Sequence, residues 1–458
     1  MTVNAVAAPS LAPANPIVTA PLLGTIARLS LPNILAMVAT AAVAVAETVY
    51  VGLIGTPALA GMALVFPVVM LQQMMSAGAM GGGVSSAISR AIGAGDEERA
   101  RSLAFHAVLI AFGLGLAITI LMLFCGRWLY AALGGRGEAL DQALTYSGVV
   151  FAGALAIWLC NLTASIIRGA GNMTVPSGTL LGVAALQVII GGSLGLGLGP
   201  LPRLGMAGIA LGQVIAYALG ALYMIRFLRS AASRIRLPFT GVRLNAEHFG
   251  DILKVGALAC ISSFQSVLTV LVLTALVARF GHEALAGYGI GSRLEFMLIP
   301  FTFAVGVALV PMVGMAIGAG KLERARRAAW TGGLLAFAIT ASIGLVGWLV
   351  PSAWAGLFTS QPGVIAAASS YLVWAGPSYG FYGLGLCLYF AAQGAGKVLG
   401  PVLAGTARLA AVALGGWWLV ATDQPLWALF ALVAVSMVVY GLATAFAIHV
   451  TRWGPRRS

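Results

Sequence analysis

The stretch IGAGDEERAR, residues 92–101, returns as IGAGKLERAR at 317–326, a displacement of 225 positions. A second stretch keeps the interval: RGAGNMTVP (168–176) returns as QGAGKVLGP (393–401). Tyr146 and Tyr371 stand at that separation too, and ALAG recurs at 58–61 and 284–287 with one residue of slippage. Such agreement within low-complexity apolar sequence marks a chain written twice, the internal symmetry expected of many transport proteins.

The repeated unit is a membrane bundle. The chain has 458 residues, 60% of them hydrophobic and 8% charged, with a mean hydropathy of +1.00. A soluble protein of this length has a polar surface to build, and the residues for it are missing. A helix that crosses a bilayer takes about 20 apolar residues at about 1.5 Å rise each. Runs of that kind fall at 26–54, 58–88, 102–126, 140–166, 173–199, 205–228, 249–277, 284–314, 327–350, 364–390, 398–420 and 426–450. The expected fold class is therefore an all-α polytopic membrane protein, with twelve transmembrane helices in two pseudo-symmetric six-helix bundles. An even number of spans per half gives both halves one orientation, a parallel repeat about an axis along the membrane normal. The expected organisation is a flexible N-terminal tail (1–24), an N-lobe (25–228), a basic cytoplasmic linker (229–247), a C-lobe (248–450) and a basic cytoplasmic tail (451–458). Two like bundles joined by a linker suit a transporter that rocks about a central cleft. A channel would need a filter of repeated carbonyls or charges, and none stands out.

The net charge of +13 raises the question of nucleic acid, and the placement of the charges answers it. With the N-terminus inside, Arg127, Arg136, Arg203 and Arg279 fall outside, while Arg293 and Arg408 lie within spans. All other Lys and Arg are cytoplasmic, so the basicity reports topology: an inner-membrane protein with both termini inside and the bilayer, not nucleic acid, as its partner. Trp128, Trp348, Trp354, Trp417, Trp418 and Trp427 lie near the outer span ends, as an aromatic belt requires. The first twenty residues carry no Lys or Arg and lack the basic start of a signal peptide.

Several motifs carry no chemistry here. GSLGLGLGP (192–200) is followed by no Lys-Ser/Thr and sits in no strand–loop–helix unit, so its glycines read as helix packing rather than a phosphate loop. Asn161-Leu162-Thr163 fits a glycosylation sequon but lies within a span. Cys125, Cys160, Cys260 and Cys387 fall singly, and His106, His248, His282 and His449 stand far apart, so neither a metal centre nor a redox pair is expected. No nucleophile–base pair suggests catalysis; the expectation is no enzyme, no cofactor and no metal.

Of twelve acids, only Glu47 and Glu295 lie deep in spans. Intramembrane acids are costly and face a cavity or a partner. Glu47 has no basic residue near it in its own span, which suits proton exchange; the bland alternative is a neutral carboxyl pinning adjacent helices. Glu295 has Arg293 two residues away, on a different helix face, and Arg408 in the eleventh span; a structural ion pair Glu295–Arg408 and a functional role both stand open. Met70, Met74, Met75 and Met80 in the second span are ordinary packing or a soft surface for varied apolar ligands.

Pro32, ETVYVGLIGTPALAG (47–61), SRAIGAGDEERAR (89–101) and Arg168-Gly169-Ala170-Gly171-Asn172 with Pro176, together with their second-half copies, resemble the multidrug and toxic compound extrusion (MATE) family. The resemblance covers nearly the whole chain after residue 25. It implies two six-helix lobes forming a V-shaped cleft, and export of small organic compounds against protons or sodium ions. Family members usually carry Asp at the position of Glu47. In the DinF-like branch an Asn in the fourth span and an Asn plus Asp in the fifth complete a polar cluster; Asn161 matches the first, and Gln187 and Gly191 stand at the other two. The NorM-like branch expects a Glu in the seventh span, where Gln265 falls. The chain is thus closer to the DinF-like branch, with partners lost from both patterns. Sodium favours several hard oxygen ligands, so a lone carboxylate points to protons.

The resulting expectation is a proton-driven exporter, monomeric, for an amphipathic or cationic small organic substrate. Glu47 carries the proton, with Asn161, Gln187 and Gln213 as hydrogen-bond partners; Met70, Met74, Gln265 and Glu295 are cleft candidates. The rivals are a flippase for a lipid-linked sugar, which needs cations such as Arg293 and Arg408 in the cleft, a sodium-coupled exporter, and a membrane-embedded enzyme, which needs converging polar groups.

Overall fold

In a computed structural model, which describes residues 16–238 and 243–454, the chain is helical throughout, with no strand among the described residues. Spans 1 to 6 are Leu22–Ile54, Thr56–Gly93, Glu97–Ala132, the pair Gly137–Ala152 and Ala154–Gly169, Thr174–Leu196, and Gly205–Arg229. Spans 7 to 9 are Ala246–Ala278, His282–Gly318 and Leu322–Leu349. Span 10 runs through Pro362–Ala375, a 3₁₀ turn Gly376–Ser378 and Tyr379–Gly394; spans 11 and 12 are Leu399–Ala421 and Leu426–Val450. Span 4 bends by 49° at Gly153, and span 10 breaks around Pro377, which has no N–H for the ladder. The two breaks occupy equivalent places in the repeat.

Most of the helices outrun the apolar runs that announce them. Span 3 starts at Glu97 rather than 102, because Asp96 caps it by accepting from the Arg99 backbone N–H at 2.9 Å. The GAG motifs end four helices by one device: Gly95, Gly171, Gly320 and Gly396 all have positive φ, from 68° to 91°, a region glycine enters without steric cost.

The lobes meet at the end that carries the basic loops, and there the repeat acts on itself. A Cβ on Gly93 would lie 2.2 Å from the Met315 carbonyl oxygen, and one on Gly318 would lie 2.1 Å from that of Arg90. Gly93 and Gly318 are repeat equivalents, as are Arg90 and Met315, so the contact is reciprocal. Ser86 adds a hydroxyl that donates to the Gln393 carbonyl across the seam. Further out, Arg99 of span 3 bridges Glu247 at 2.8 Å and Asp251 at 2.6 Å on span 7, clasping the lobes. The buried His106 ring lies edge-on, 5.3 Å from that of His248, and its Nε2 accepts from the Asn245 backbone N–H at 3.0 Å. Two of the four histidines distant in sequence thus meet, yet no group of three His, Cys, Asp or Glu able to hold a metal forms among the described residues.

The expected loose tail needs correction where it can be seen. Residues 1–15 lie outside the described part, but Pro16–Thr19 is a short helix with Ile17 and Val18 buried, and span 1 begins at Leu22. Arg324 donates to the carbonyls of Ile17 and Ala20, fixing this helix against span 9. Apolar side chains between prolines, read as tail, are packing residues. Of the expected linker and basic tail, 239–242 and 455–458 lie outside the described residues.

Candidate functional site

Helical spacing places Thr40, Ala44, Glu47 and Thr48 on one face of span 1, and all four line a cavity of about 620 Å³ in the N-lobe. Thr40 and Thr48 donate to carbonyls of their own helix, Ala36 at 2.9 Å and Ala44 at 2.8 Å. Glu47 is the side chain of this face that reaches another helix: its Oε1 accepts from Gln187 Nε2 of span 5 at 2.8 Å. Gln213 of span 6 accepts from the Tyr146 hydroxyl at 3.2 Å, and one turn further Tyr217 accepts from Gln73 Nε2 at 2.9 Å. Gln187, Gln213, Tyr146, Tyr217 and Gln73 line the same cavity as Glu47.

Two of the three residues expected around Glu47, Gln187 and Gln213, therefore share its chamber. Asn161 does not reach it. Its Nδ2 donates to Gln73 Oε1 at 3.0 Å and to Ser76 Oγ at 2.8 Å, so it touches the chamber only through Gln73. Ser76 lies in a π-helical stretch of span 2, Met74–Met80, an irregularity that recurs at functional sites. Sequence reasoning missed Gln73, Ser76 and Tyr217. The available signal was the doublet Gln72-Gln73, which interrupts an apolar span with no charge to satisfy.

Gly191, where the resemblance implies an Asp, serves a different end. Spans 5 and 6 touch by backbone there: a Cβ on Gly212 would lie 2.4 Å from Gly191 Cα, and one on Gly208 would lie 2.5 Å from the Leu194 carbonyl carbon. Small residues at such crossings let helices approach closely in a bilayer. A side chain on Gly191 would itself enter the crossing, its Cβ 3.3 Å from the Ile209 carbonyl oxygen.

The C-lobe holds a second cavity of about 140 Å³, lined by Met74, Gln265 and Arg408 among others, with Met70 on the wall of both cavities. Glu295 does not line it. Its Oε2 accepts from the Tyr371 hydroxyl at 2.6 Å, and its Oε1 lies 3.9 Å from Arg408 Nη2. Arg293 turns the other way, as its two-residue offset requires: it lies 5.1 Å from the Phe358 ring centroid and lines the N-lobe cavity from across the cleft. The repeated tyrosines serve both clusters, Tyr146 through Gln213 and Tyr371 through Glu295. The acids do not repeat, for Val272 stands at the equivalent of Glu47 and Met70 at that of Glu295.

Known proteins share this fold. The family model described as MatE matches residues 32–192 and 259–417, one segment in each lobe. A FAD transporter of Shewanella oneidensis is 27% identical over 379 residues, 82% of either chain. A probable multidrug resistance protein NorM of Thermotoga maritima is 26% identical over 363 residues, 78% of this chain and 77% of that one. Among solved structures, the Vibrio cholerae MATE transporter VcmN superposes with a TM-score of 0.86 at 23% identity, covering 93% of this chain and 96% of that one. A MOP superfamily transporter from Pyrococcus furiosus does so with a TM-score of 0.85 at 24% identity, covering 94% and 96%. With both halves matched and the two-lobed fold shared, the chain belongs to the MatE family and is a multi-pass membrane transporter of the multidrug-exporter kind, not an enzyme.

Proposed function

We propose that this chain exports small amphipathic or cationic organic compounds across a bacterial inner membrane in exchange for protons, by alternating access, with Glu47 as the coupling group. The observation that carries the reading is the setting of Glu47: a carboxyl on a chamber wall, bonded by a neutral amide rather than by a cation. As a carboxylate it accepts from the Gln187 N–H. Once protonated it becomes a donor, and the same amide can turn its carbonyl to receive the O–H, so either state is satisfied. Protonation removes a charge that the chamber must otherwise solvate, which biases the lobe between conformations. In this reading the basic end, where the lobes meet, is cytoplasmic, as the positive-inside rule supports, and the chamber faces outward, where a proton enters and substrate leaves. The cleft is complete within one chain, which suits a monomer. The proposed kinship with the DinF-like branch rests on Asn161, with Gln187 standing where that branch has Asn.

Proteoliposomes with separately imposed proton and sodium gradients test the reading. Efflux of a cationic dye should follow the proton gradient, collapse with a protonophore and weaken as the outside is made alkaline. In Glu47→Gln it should fall to that of protein-free liposomes. Efflux driven by sodium alone at fixed pH would overturn proton coupling. Arg293 on the chamber wall favours a second reading, a phosphate-bearing cargo such as a lipid-linked sugar or the FAD named for the Shewanella relative. Transport of dye, FAD and a lipid-linked oligosaccharide in the same vesicles separates the two.

A further inference from the structure

The C-lobe cavity is a built polar site that the coupling scheme leaves unused. Its one charged wall residue among those described is Arg408, only 8% exposed. The guanidinium is fixed in place by two rings, with its carbon 4.9 Å from the centroid of Tyr382 and 5.9 Å from that of Tyr440. Its contact with Glu295, at 3.9 Å, is too long for a hydrogen bond, and that carboxylate is itself held by Tyr371. The buried Nε of Arg408 has no partner. Gln265 of span 7, 9% exposed, lines the same cavity; its Nε2 is engaged with Thr406 Oγ1 at 2.7 Å, while its buried Oε1 has no partner. A buried donor on a cation and a buried acceptor on an amide, both unmet and on one small cavity, are costly unless a ligand meets them.

We infer that this cavity binds the anionic head of an amphipathic substrate. The Arg408 N–H donates to a carboxylate or phosphate oxygen, and Gln265 Oε1 accepts an N–H or O–H adjacent to that group. At about 140 Å³ the cavity takes a headgroup only, and the apolar body lies against Met70, Met74 and Phe303, on the wall that leads to the cleft. Glu295 stays behind as the counter-charge, so the lobe holds no bare cation between substrates. The inference depends on the exporter reading only in taking the cleft as the substrate path. It extends the cargo to amphipathic acids and gives the lobes different tasks, a proton on one side and an acidic head on the other.

Equilibrium binding tests it without any gradient, so a failure of proton coupling and a failure of this site are told apart. The full chain in phosphatidylcholine nanodiscs is titrated with dansylglycine and with its uncharged amide, dansylglycinamide, by fluorescence. The acid should bind roughly tenfold tighter, as one charge-assisted contact allows. That preference should vanish in Arg408→Met/Glu295→Gln, a double change that leaves no lone buried charge. Gln265→Leu, which keeps Arg408 and its pairing, should weaken acid and amide alike, about threefold, and leave the preference in place. Equal affinity of the native protein for acid and amide would overturn the inference. So would a preference that survives intact in the double variant, or affinities for both probes that Gln265→Leu leaves unchanged.

Discussion

Glu47 is one methylene longer than the Asp the family resemblance implies, and its partner Gln187 is one methylene longer than the implied Asn. The 2.8 Å bond between them is a fit of two long side chains across the gap between spans 1 and 5. Shortening one should open that gap, and shortening both should open it further rather than restore the family pattern. Glu47→Asp is therefore expected to keep partial export, roughly tenfold slower, with Glu47→Asp/Gln187→Asn slower still, in proteoliposome initial rates. A double variant faster than the single one would show that the chamber repacks around short pairs. Glu295→Gln tests stability instead. It leaves Arg408 charged in a buried place without its acid, at a cost of about 3 kcal/mol, and Arg408→Met added to it should recover most of the loss in thermal unfolding. Glu47 was readable in the sequence because a lone acid in an apolar run is conspicuous. The Asn161–Gln73–Tyr217 chain was not, because its amides and hydroxyl lie on three helices and no spacing within one helix relates them.

Individual helices were announced by their apolar runs, and their ends were not. A hydropathy pattern stops where charge begins, whereas a helix stops where its caps and glycines stop it, as Asp96 and the four GAG turns do. The glycines at 191 and 212 carry the same lesson. In sequence they are small residues among many; in the fold they let spans 5 and 6 touch by backbone. Gly93→Val and Gly318→Val bear on the seam between the lobes, where each new Cβ meets a carbonyl oxygen of the other lobe that cannot move aside. Both should lower the unfolding free energy by about 1–3 kcal/mol, and by similar amounts, because the two contacts mirror each other. Melting of the detergent-purified variants is the measurement. A large loss in one with none in the other would break the symmetry argument.

For the whole molecule, the 225-residue repeat foretold two lobes, yet it said nothing of how their contents differ. Each lobe carries a half-buried acid within a span, at a position where the other has an apolar residue, so the repeat governs the frame and not the chemistry. The Arg99 clasp joins the lobes where solvent reaches it, with Arg99 36% exposed and Glu247 64%. Such exposed pairs contribute about 1 kcal/mol or less and are screened by salt. Arg99→Gln should therefore shift the balance toward opening at the basic end only about threefold to fivefold. Labelling of a cysteine introduced at Ser89 in inside-out vesicles would read it, and high ionic strength should produce the same shift in the native chain. The reciprocal contact at Gly93 and Gly318 has a longer reach. Its atoms are main-chain carbonyls and glycine Cα atoms, which every pair of duplicated halves would possess whatever side chains they acquired later. After a gene doubled, substitution could run through both copies, giving one the chamber that holds Glu47 and the other the cavity that holds Arg408, so long as two glycines were spared. Divergence of the copies and persistence of their common axis were never in competition.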